Sequence, residues 1–94
     1  MASYSVSLKR SVLKDLEPLP APDRARIMER IGALADDPRP YGCEKLSALE
    51  RYRIRVADYR IVYAIEDAEL TVWVARVGHR RDVDRRQRHH PRPL

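Results

Sequence analysis

The chain has 94 residues and one cysteine, which limits it to a single domain without an internal disulfide. Its 44% hydrophobic content suffices for a small core, and no apolar run approaches the ~18 residues of a membrane span. The net charge of +5 is unevenly placed: residues 1–50 carry eight Lys/Arg against eight Asp/Glu, whereas residues 51–94 carry eleven arginines, no lysine and six acids. Arginine is planar, forked and always charged, so this asymmetry points to a nucleic acid or an acidic protein as partner. Met1 to Lys9 has no signal-peptide apolar region. No Cys/His cluster has zinc spacing, and the expectation is a cytoplasmic, metal-free chain without a cofactor, in which Cys43 is a small buried or loop residue.

Tyr4, Val6 and Leu8 alternate with serines, which predicts a short first strand. From about Ser7 the spacing changes to Leu8, Val12, Leu13 and Leu16, the stripe of an amphipathic helix, which Pro18 and Pro20 end. Pro22 and Asp23 suit the first turn of a second helix with an apolar stripe of Ile27, Met28, Ile31, Leu34 and Ala35. Arg24, Arg26 and Arg30 face outward there, as a solvated surface or a second phosphate contact. Asp37-Pro38-Arg39-Pro40 stops the helix, and residues 38–50 read as a loop with Leu46 and Leu49 tucked under the sheet.

The stretch Arg51 to Arg60 has period two. Tyr52, Ile54 and Val56 fall on one side, Arg51, Arg53 and Arg55 on the other, so a strand here buries one face and lines the other with guanidinium groups. Ala57-Asp58 reads as a turn, and Tyr59 to Ile65 as the returning strand, with Arg60 restarting near Arg55. After a polar turn, Glu66 to Glu69, the run from Leu70 to Val77 reads as a central strand carrying Trp73. Gly78-His79-Arg80-Arg81 is expected to leave the sheet through a turn permitted by Gly78. Gln87 to Leu94 has no periodicity. The expected fold is α+β: two N-terminal helices packed on a small, mainly antiparallel sheet, with residues 1–86 as the domain and 87–94 as a basic, disordered tail. His89 and His90 in that tail lack neighbouring ligands and read as solvated.

Lys14-Asp15-Leu16 with Leu19-Pro20, Asp37-Pro38-Arg39, Lys45-Leu46, Tyr52 to Val56, Asp58 to Tyr63 and Val77 to Arg80 occur in an order and at spacings that resemble the RelE/ParE superfamily of bacterial toxins from toxin–antitoxin pairs. The resemblance covers about Tyr4 to Arg86. Its RelE branch implies a metal-independent endoribonuclease that cuts mRNA on the ribosome by attack of a 2′-hydroxyl on the adjacent phosphate. Carried over residue by residue, the branch's catalytic positions fall on Arg53, Arg55, Arg60 and Arg80, with His79 as the candidate base. Arg51, Lys45 and Arg81 are expected to bind RNA. Many relatives carry lysine at the positions of Arg53 and Arg55, and a tyrosine at or near that of Asp84. The implied partners are a cognate antitoxin, RelB-like or other, together with mRNA and the ribosome. The alternatives are a ParE-like toxin inhibiting DNA gyrase, or a nucleic-acid or partner-binding module without activity.

Overall fold

The computed structural model describes residues 3–46 and 50–79. Strand β1 (Ser5–Leu8) is followed by helices α1 (Arg10–Leu16) and α2 (Ala21–Ala33) and by four strands: β2 (Glu44–Lys45), β3 (Arg51–Val56), β4 (Tyr59–Glu66) and β5 (Thr71–His79). They form one sheet in the order β1-β5-β4-β3-β2. Every neighbouring pair is antiparallel except β1 and β5, which run parallel. Parallel neighbours need a crossover, and the two helices lie within it.

The helices cover one face of the sheet. Val12, Leu16, Ile27, Ile31 and Leu34 meet Tyr52, Ile54, Val56, Ile61, Tyr63, Ile65, Val72, Val74 and Val77 in a single core. The apolar positions of β3 enter it at every second residue, as the alternation dictates. Tyr63 is fully buried and satisfies its hydroxyl by donating to the Pro38 carbonyl at 2.8 Å. Burial pushes its phenol well above the usual range.

Three expectations need correction. Leu8 ends β1 instead of opening the first helix, because its backbone is committed to the pairing with Val74. Leu13 and Met28 point to solvent, since Val12 with Leu16 and Ile27 with Ile31 already fill the inward stripe at four-residue spacing. Gly78 and His79 remain in β5, in register with Arg60 and Tyr59, where a turn was expected. Leu46 is half-buried, and Leu49 and the tail lie outside the described residues.

A register shift opposite Val62 and Tyr63 leaves Ala75 as an extra residue in β5. It reverses the strand's parity: Val72 and Val74 face the core before it, Val77 after it, and Arg76 comes to the opposite face. Beyond Val74 the pairing with β1 has ended, and the carboxylate of Asp15 on α1 accepts the Val77 N–H at 3.0 Å. Asp15→Ala leaves that donor without its acceptor, so a loss of about 1–2 kcal/mol is expected in urea denaturation, with a smaller loss for Asp15→Asn, which keeps an acceptor oxygen.

Candidate functional site

The face of the sheet away from the helices is set by register, because directly paired residues share a face. One row across it reads Glu44, Arg53, Val62 and Arg76; the next reads Arg55, Arg60 and Gly78. A third holds Arg51, Ala64 and Trp73. The two-residue turn at Ala57-Asp58, with Ala57 at φ 54°, brings Arg55 and Arg60 directly opposite each other. Like charges in that relation are destabilising.

Gly42, Glu44, Arg53, Arg55 and Arg60 line a depression of about 120 Å³ on this face. Nε and Nη2 of Arg53 both donate to one oxygen of Glu44, at 3.0 and 2.6 Å. The carboxyl of Glu44 is held below its usual range, first by the hydrogen bond from Arg53 and then by that residue's charge, with weaker help from Arg60 and Arg55. The site is thus three guanidinium groups around one carboxylate. Such donors can bind a phosphate at the position the carboxylate occupies, and can stabilise charge that builds up there.

Of the expected site residues, Arg53, Arg55 and Arg60 come together. Arg51 lies on the same face but does not line the depression. Lys45 does not join them: it is in register with Tyr52, and its ammonium pairs with Glu50 at 3.2 Å. His79 does not either. It pairs with Tyr59 on the helix-bearing face, edge-on to that ring at 6.1 Å between centroids, and the Tyr59 hydroxyl donates to Asp23 of α2 at 2.8 Å. The cause is the continuation of β5, which alternates Gly78 and His79 between faces instead of releasing them in a turn. Arg80, Arg81 and Asp84 lie outside the described residues.

Two residues went unread in the sequence. Glu44 stands in a two-residue strand too short to show a period. Arg76 reaches the arginine face only because of the bulge. Arg24 donates to the Leu19 carbonyl at 2.6 Å, which fastens the turn between the helices.

The loop before β2 is anchored by Arg39. Its guanidinium binds Asp67 at 2.9 Å, Glu50 at 3.0 Å and the Tyr52 hydroxyl at 3.1 Å, and lies 5.3 Å from the centre of the Tyr52 ring. Tyr4 donates to Asp67 at 2.7 Å.

The family described as the ParE toxin of the type II toxin–antitoxin system, parDE, matches residues 6–84. The chain belongs to this family. Toxin RelG of Mycobacterium tuberculosis is 33% identical over 85 residues, covering 88% of this chain and 98% of RelG. The toxin–antitoxin complex RelBE2 of the same organism contains a chain with a TM-score of 0.74 and 29% identity, covering 84% of this chain and 93% of that one. A free mutant of the Escherichia coli toxin RelE has the same fold, with a TM-score of 0.73 at 24% identity over 87% of this chain and 88% of its own. The protein is therefore a RelE/ParE superfamily toxin of a type II toxin–antitoxin system. Among the described residues no helix is long and apolar enough to cross a membrane.

The facing arginines carry a cost that the toxin can be made to reveal. Arg55→Gln is expected to stabilise the fold by about 0.2–1 kcal/mol in thermal or urea unfolding at low salt. The gain should shrink as salt screens the pair, and the same substitution should weaken binding of tripolyphosphate.

Proposed function

We propose that this toxin is an endoribonuclease that cleaves mRNA on the ribosome in the cytoplasm, without a metal, and that a RelB-like antitoxin restrains it. The observation that carries the reading is the convergence of Arg53, Arg55 and Arg60 on one depression that also contains a carboxylate. The similarity to RelG and to the toxin chain of RelBE2 supports the Rel-type assignment.

In the proposed reaction the scissile phosphate takes the place of Glu44 at the Arg53 fork. The 2′-oxygen of the preceding ribose forms a bond to phosphorus while its proton passes to a base. The bond from phosphorus to the 5′-oxygen breaks, and that oxygen takes up a proton from water. The products are a 2′,3′-cyclic phosphate and a 5′-hydroxyl. Three guanidinium groups stabilise the phosphorane that forms between these states, where the added negative charge binds them more tightly than the substrate does. Glu44 is the carboxylate best placed to receive the proton. The hydrogen bond and charge of Arg53 lower its pKa while the two are paired, and displacement from Arg53 lifts that depression. By the family resemblance Arg80 adds a further donor, with Arg81 and Arg51 as outlying RNA contacts.

Single-turnover cleavage on programmed ribosomes tests this. Arg60→Ala should lose about 10²–10³ in rate with the fold intact, and Arg60→Lys should recover little, because a point charge does not reproduce a fork. Glu44→Gln should slow cleavage while binding of an uncleavable RNA is kept or tightened. Activity should persist in EDTA. A second reading has one observation in its favour, the family's description as a ParE toxin. Gyrase-linked DNA breaks with intact mRNA after induction would establish that reading instead.

A further inference from the structure

The tyrosines divide sharply. Tyr4, Tyr52, Tyr59 and Tyr63 each donate their hydroxyl to an internal acceptor. Tyr41 makes no such bond among the described residues, and it is fully exposed, at 104% of the reference accessibility. A ring this exposed is open to a partner outside the fold.

Tyr41 is nevertheless held in position. The Cys43 N–H donates to the Pro40 carbonyl at 3.0 Å, which closes a tight turn with Tyr41 and Gly42 at its centre. Gly42 has φ +94°, the conformation that glycine supplies at the third position of a type II turn. Pro40 fixes the backbone on the other side. The ring therefore sits at the apex of a stiff turn, and Arg39, one residue before the turn, ties the loop to Asp67 and Glu50.

Residues of the turn line two concavities, one on the open face of the sheet and one against α2. Gly42 lines the arginine depression. Pro40 and Tyr41 join Ala33, Leu34, Arg30 and Asp37 around an open hollow of about 340 Å³. That volume lies at the lower end of the range for small-molecule sites, and the hollow combines an apolar floor with two charged groups. A nucleic-acid strand presents this same succession, an anionic phosphate followed by a flat apolar base with polar edges.

We propose that Tyr41 is a stacking platform for a nucleobase of the RNA whose phosphate lies among Arg53, Arg55 and Arg60, and that the hollow Tyr41 lines receives that base. The inference rests on the ribonuclease reading and adds a base-recognition subsite to it. Stacking on an aromatic side chain tolerates any base, and Arg30 and Asp37, which line the same hollow, supply polar groups for a base edge.

The test uses the full chain and two probes, a short 2′-O-methyl RNA that cannot be cleaved and the same backbone with abasic positions. Tyr41→Ala should weaken binding of the base-bearing probe about tenfold and leave the abasic probe unchanged. Tyr41→Phe and Tyr41→Trp should bind like the parent. The proposal is overturned if Tyr41→Ala affects both probes equally or neither, with parental binding intact; the arginine site then stands alone. A parent protein that binds neither probe also overturns the proposal, whereas cleavage on programmed ribosomes decides the ribonuclease reading separately. Loss of antitoxin binding in Tyr41→Ala with RNA binding unchanged overturns the proposal in favour of a protein contact.

Discussion

The cross-strand pair of Arg55 and Arg60 depends on a single hairpin. A two-residue turn places two like charges face to face. The same two strands send Ile54, Val56 and Ile61 into the core from their other face. Period two makes these facts inseparable, because each residue added to the apolar side sets its neighbour on the cationic side. The core thereby holds together a charge arrangement that would otherwise spread apart. Slipping the register by one residue would exchange arginines and aliphatics between water and core, so the geometry of the site is protected by the cost of burying guanidinium.

The second support is ionic and lies at the sheet's other end. Arg39 joins the loop after α2, the start of β3 and the 3₁₀ turn Asp67–Glu69, and through Asp67 it reaches Tyr4 ahead of β1. Hydrogen bonds from Arg39 and Tyr4 hold Asp67 below its usual carboxyl range, and those from Tyr52 and Arg39 do so for Glu50. Both pKa values are lower in the fold than in the unfolded chain. Their stabilising contribution is therefore complete at neutral pH and lost as pH falls through the folded-state values. The groups are solvent-exposed, so the contribution is modest in energy, and its main effect is to fix the path of the loop. That path carries Tyr41 and Gly42 to the border of the arginine depression.

Glu44 changes the meaning of the arginine cluster. Without a counter-ion, three guanidinium groups would repel one another in the resting toxin. The carboxylate relieves part of that repulsion and occupies Arg53 with an oxygen where a phosphate oxygen can bind. A resting site of this kind is organised before an anion arrives, which lowers the ordering cost of binding. The same carboxylate is the group that an anionic ligand would displace from Arg53.

The primary sequence already showed the hairpin, the faces of its strands, both helices and the resemblance to a toxin superfamily, because alternation and four-residue spacing are local signals that survive without a partner. The grouping of Arg53, Arg55 and Arg60 was legible for the same reason. What the sequence could not show were relations between distant segments. Glu44 is placed by pairing with Arg53 across a loop, and a two-residue strand has no pattern to detect. Arg76 depends on a bulge opposite β4, which reverses the parity that its own strand would imply. His79 and Lys45 do not meet the arginines, since register and not residue type decides which side of a sheet a group occupies. Nothing local marks Tyr41 apart from other loop residues; that its turn lines two concavities is a property of the assembled fold. Local periodicity determined what each strand would present; only the pairing of strands decided which of those groups would meet.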